Sequence, residues 1–152
     1  MLSVPDLKAF CTDVVATVPG LSSYIMIVGE KHLAKHIAHK RIEEFPVLVA
    51  LYPSANGTGP NLDNLQYANE LDFFVLKKIP DYSARTYKTE EDDYTETQDL
   101  TLAVIQFIKD NQGKPAYCKW LGKVNPNSIG IDPEYNYHDC DGWSFSFGLM
   151  TS

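Results

Sequence analysis

Leu7, Phe10, Cys11, Val14 and Val18 recur at helical spacing. Ser3 with Asp6 forms a capping-box-like start, and Pro19-Gly20 closes the run, so the first predicted element is a helix. Tyr24 to Val28 is a short apolar run beside Gly29 and predicts a strand. Lys31 to Glu43 is rich in helix formers and places Leu33 and Ile37 four apart, which predicts a second helix. Phe45 to Pro53 is continuously apolar and bracketed by prolines, the pattern of a strand covered on both faces, and Leu71 to Leu76 reads the same way. Between them, Pro53 to Asn69 is dominated by Ser, Asn, Gly, Thr and Pro and predicts a loop without regular structure.

Thr89 is a candidate cap for a long helix whose first turn, Glu90 to Asp93, puts acids at the positive end of the helix dipole. Tyr94, Thr97, Thr101, Val104, Ile105 and Ile108 form its apolar stripe, widened by Leu100 and Phe107, until Asn111-Gln112-Gly113 stops it. An irregular segment follows. Trp143 to Leu149 then alternates large apolar with small residues in period two, a strand with one face on the core. This order predicts an α+β fold, a largely antiparallel sheet with two main helices packed on one face. Trp143, Phe145 and Phe147 are expected to lie against Val104, Ile105 and Ile108.

A chain of 152 residues fits one domain with a sizeable core of its own. Hydrophobic residues at 44% and charged residues at 22% exclude a disordered or low-complexity class. Twenty acids against thirteen bases leave a net charge of -7, which argues against a dedicated nucleic-acid binder, whose affinity needs clustered Lys and Arg. No basic leader precedes an apolar run and no stretch reaches membrane-span length, so a soluble protein folded in a cytosol is expected. Cys11, Cys118 and Cys140 are odd in number and widely spaced, which predicts reduced thiols.

Three clusters invite a chemical reading. His32, His36 and His39 fall at i, i+4 and i+7, within reach of one metal ion on a helix face, but Lys31, Lys35, Lys40 and Arg41 surround them and oppose a dication. A solvated basic face, or a contact for an acidic partner surface, is the plainer reading. His138-Asp139-Cys140-Asp141 sets a thiol beside an imidazole and two carboxylates, yet no oriented base or oxyanion site accompanies it. Asp132 to Gly142 holds enough oxygens for calcium without the spacing of an EF-hand loop. No phosphate-binding glycine motif and no Gly-x-Ser-x-Gly is present, so no catalytic, cofactor-binding or metal residue is assigned. Tyr82, Tyr87, Tyr135 and Tyr137 supply amphipathic area of the kind enriched at interfaces. With Lys31, Lys35, Lys40 and Arg41 they are the interface candidates.

Phe45-Pro46-Val47-Leu48-Val49, Leu71 to Leu76, the helix from Asp92 to Asn111 and Gly142-Trp143-Ser144-Phe145-Ser146-Phe147, taken in order, resemble the small tail-terminator and neck (head-tail connector) proteins of tailed bacteriophages. The likeness runs from about Leu7 to Leu149 and rests on apolar patterns; Lys31 to Arg41 and Tyr117 to Asp141 lie outside it. It implies a structural virion subunit forming a homo-oligomeric ring, expected to be a hexamer, between tail tube and neck. No cofactor and no catalytic residue carries over. Its expected contact surfaces are Pro53 to Asn69, Tyr82 to Tyr94 and Asn125 to Asp141, mobile in the free chain and ordered on assembly. The competing expectation is a small cytosolic metal-binding protein or enzyme using the three histidines or the Cys140 region; a third is a monomeric adaptor.

Overall fold

The computed structural model describes residues 1–152. Helix α1 (Val4–Thr17) starts where the Ser3 hydroxyl accepts from the Asp6 N–H at 3.2 Å, and it buries Leu7, Phe10, Cys11 and Val14. Strand β1 (Ser23–Ile27), helix α2 (Glu30–His39) and strand β2 (Val47–Leu51) form a β-α-β unit with β1 parallel to β2. Strands β3 (Ser54–Thr58) and β4 (Gln66–Lys78) make a hairpin, helix α3 (Tyr87–Asn111) follows, and β5 (Gly130–Glu134) and β6 (Cys140–Thr151) close the chain. The sheet order is β1-β2-β4-β6-β5, with β3 also on β4, and every pairing but β1 with β2 is antiparallel. The fold is α+β, as the element order predicts.

Alternation divides the apolar residues between two faces of the sheet. Leu48 and Ala50 of β2, Leu71, Phe73 and Val75 of β4, and Phe145, Phe147 and Leu149 of β6 join α1 and α3 in the main core. Val104, Ile105 and Ile108 meet Phe145 and Phe147 there, as expected. Trp143 on the same face is only half-buried and donates its indole N–H to the Tyr94 carbonyl at 3.0 Å. Phe10 is the hub, meeting Phe73, Phe107, Tyr117 and Trp120 edge-on at centroid distances of 5.4–6.3 Å. The opposite residues, Val47, Val49 and Leu76, join Ile25 and Ile27 under Leu33 and Ile37 of α2. Helix α2 therefore covers the other face, at the β1 end of the sheet.

Four expectations need correction. Pro53 to Asn69 is not irregular: Ser54 to Thr58 pairs with Glu70 to Gln66, continuing the β2-β4 ladder, because backbone pairing needs no strand-forming side chains once a partner lies alongside. The stretch between α3 and β6 holds β5, an edge strand that accommodates Pro133. Helix α2 ends at His39 and not at Glu43; Lys40 turns extended, and the Glu44 carboxylate accepts from the Arg41 N–H at 2.7 Å to start a separate 3-10 turn. The cap of α3 is Thr86, with Thr89 the reciprocal third residue of the box.

Candidate assembly surfaces and polar clusters

Helix α2 and the two residues that follow it carry the basic cluster. Lys31, Lys35 and Arg41 are exposed and form no ion pair, whereas Lys40 is half-buried and pairs with Glu44 at 3.5 Å. His32 and His36 meet with their Nε2 atoms 2.9 Å apart, and the Val28 N–H donates to His32 Nδ1 at 3.3 Å. That donation puts the His32 proton on Nε2, from which it is given to His36. His39 is exposed and takes no part, and no three His, Cys, Asp or Glu side chains converge as a metal site would require. Desolvation, aided by His32, Lys35, Lys40 and His39, lowers the His36 pKa from its ordinary value.

At the start of β6 the chain builds a buried charge network. Asp141 is 1% exposed and accepts from the Tyr82 hydroxyl at 2.8 Å, from the Asn136 N–H at 2.7 Å and from Arg85 Nη1. Arg85 also reaches Asp93 at 3.3 Å, Lys77 bonds Asp93 at 2.9 Å and Glu96, and the Arg85 guanidinium lies 5.7 Å from the Tyr82 ring centroid. Asn136, His138 and Asp139 sit at φ +48, +54 and +60, left-handed positions that Asn and Asp tolerate better than most residues. The network ties the β4-α3 connection to the β5-β6 turn. It uses up Asp141, the best-buried of the oxygens that suggested calcium.

Cys140 is fully buried, and burial pushes its thiol up to about 12 despite the opposing field of Lys78. His138 has its Nε2 3.4 Å from a Glu30 carboxylate oxygen without a hydrogen bond to it. A thiol held protonated by burial is poorly set up for nucleophilic attack.

The tyrosines divide into two kinds. Tyr82 is held by Asp141, and Tyr137 stacks on Phe74 at 5.2 Å with an interplanar angle of 9°. Tyr87, 83% exposed, and Tyr135, 65% exposed, keep open area; Tyr135 meets Tyr82 edge-on at 5.9 Å. Two features escaped sequence reasoning. One is the β3-β4 hairpin arm, with Leu62 exposed at its tip; the other is a cleft of about 460 Å³ beyond the opposite end of β4, lined by Ile42, Phe45, Ile79 and Pro80 with Lys78 and Arg85 beside them. The cleft's lining comes from three separate segments of the chain, so no local pattern in the sequence announces it. Compared with the models of known protein families the chain matches none, and no curated protein matches it.

Proposed function

We propose that the chain is a structural virion subunit of a tailed bacteriophage, a tail terminator or closely related neck protein, which forms a ring joining tail tube to neck. The observation that supports this reading is the spatial layout of the elements that carry the resemblance. α1, the Pro-led β2, β4, amphipathic α3 and β6 with its Gly142-Trp143 follow in that order, with α1 and α3 on one face of a single sheet. Its partners are further copies of itself and the tail-tube and neck proteins, and its place is the virion, after assembly in the host cytoplasm. No helix is long and apolar enough to cross a membrane.

Work at such a junction is done by surfaces. Subunits must offer different faces to the ring neighbour, the tube and the neck, so heterologous contacts are required. The basic side of α2, the exposed Tyr87 and Tyr135, and the two ends of β4 are surfaces of that kind. Mass spectrometry of purified virions from the source tests the reading directly. Several copies per particle, located by cryo-electron microscopy at the neck or tail end, are the expected result; absence from intact particles refutes it.

One observation favours a metal-binding reading, the 2.9 Å approach of the His32 and His36 Nε2 atoms. Elemental analysis separates the two. Stoichiometric metal, lost when His32, His36 and His39 are changed to Gln, would replace the structural reading.

A further inference from the structure

The two ends of β4 differ in kind. At its start the β3-β4 arm ends in a built turn. The Asn61 side-chain carbonyl accepts from the Asn64 N–H at 3.1 Å and from the Asn64 amide at 3.0 Å. Gly59 stands at φ +145, where a Cβ would come within 2.4 Å of the Asn64 carbonyl oxygen. The turn holds Leu62 outward, 86% exposed and the most exposed large hydrophobic side chain of the protein, next to an exposed Asp63 that has no ion pair. The bonded turn fixes where Leu62 is displayed, away from the core.

Just past the other end of β4 lies the cleft. Ile42, 51% exposed, and the exposed Pro80 form its open apolar wall, and Phe45 and Ile79, 8% and 6% exposed, line it from within the fold. Of the charges around it, Arg85 and Lys77 are paired with Asp93, and Asp81 accepts from Ser83 at 2.6 Å, which leaves Lys78 as the cation without an ion pair. Thirteen residues of strand separate arm tip from cleft, roughly 40 Å at about 3.3 Å per residue. One chain therefore cannot fill its own cleft.

We propose that the arm tip of one copy seats in the cleft of the next, with Leu62 against Ile42, Phe45 and Pro80, and Asp63 facing Lys78. Knob and hole match in polarity, Lys78 offers Asp63 an unpaired cation while the Asp81 carboxylate of the cleft is held by Ser83, and knob and hole lie at opposite ends of the same strand. The contact is heterologous: each copy gives its arm and receives another, so the chain of contacts closes only as a ring. This inference rests on the ring reading above and adds which surfaces make the contact.

The test uses the full chain with Cys118→Ser, the one exposed native thiol, removed. Leu62→Cys and Ile42→Cys are introduced singly and together, and the proteins are oxidised and run without reductant. The double variant is expected to give a ladder of cross-linked oligomers, and a mixture of the two single variants a cross-linked dimer. In the wild-type background Leu62→Asp should weaken self-association by roughly 10- to 100-fold, the worth of one buried leucine side chain. Asp63→Lys should weaken it too, and Lys78→Glu in the same chain should restore it. Circular dichroism of each variant should be unchanged, because these side chains lie outside the core. No ladder beyond that of the single variants, or charge reversals that fail to rescue, overturns the contact. If virions nevertheless contain the protein at the neck or tail end, the ring reading survives with a different interface; absence from virions ends both.

Discussion

Replacing Asp141 with Asn should be among the most damaging isosteric changes available to this protein. The side chain keeps its volume, and its carbonyl oxygen can still accept from the Tyr82 hydroxyl and the Asn136 N–H, now at 2.8 and 2.7 Å. What it loses is the charge that faces Arg85, whose side chain is 6% exposed and whose Nε already lacks a hydrogen-bond partner. Breaking a buried ion pair from one side costs about 3–5 kcal/mol, and Arg85 keeps only its longer contact to Asp93 at 3.3 Å, a carboxylate it shares with Lys77. Against a total stability of about 5–15 kcal/mol for a single domain, that is a large share. With an m-value of about 1.5–2 kcal/mol/M, the urea midpoint should fall by about 1.5–3 M. Arg85→Met added to Asp141→Asn removes the cation that has lost its main partner. Asp93 then keeps Lys77 as its partner, so the double variant should be less destabilised than the sum of the single changes by about 2 kcal/mol. Equilibrium unfolding followed by tryptophan fluorescence measures all four corners of the cycle. A loss below about 1 kcal/mol for Asp141→Asn, or additivity of the pair, would refute the view that this network holds the two connections together.

Phe145, 1% exposed and stacked on Phe73 at 4.9 Å, should cost about 3–5 kcal/mol on replacement by Ala, read as a lowered denaturation midpoint. Because the folded-state pKa of His36 is lowered, the folded protein binds fewer protons than the unfolded chain near that pKa. Its contribution is therefore neutral above the ordinary imidazole value and becomes destabilising as pH falls through it, so His36→Gln should flatten the acid-side loss of stability in a pH series of melting temperatures. Of the three thiols, Cys118 is exposed, while Cys11 and Cys140 are buried with their thiols pushed up to about 12. A thiol reagent at pH 8 should label one cysteine in the native state and three after unfolding; rapid native labelling of Cys140 would contradict its burial.

The periodicities of α1, α3 and β6 are legible in the chain because each buries one stripe, and a stripe is a property of local sequence. The same holds for β2, apolar on both faces because α1 and α3 cover one and α2 the other. Composition and charge likewise set the broad class and pointed to the basic side of α2. Tertiary structure alone made strands of Ser54–Thr58 and Gly130–Glu134, whose Asn, Gly, Asp and Pro content reads as loop; each lies beside a strand that supplies its hydrogen bonds. It also joined Tyr82, Arg85 and Asp93 to Asp141 across a gap of some fifty residues, and gathered the cleft from three segments, because such contacts depend on which elements become neighbours and leave no period in the sequence. The split of three near-adjacent histidines into one bonded pair and one free side chain has the same origin. His32 is anchored from outside its helix by the Val28 backbone, a partner placed by the turn from β1 into α2.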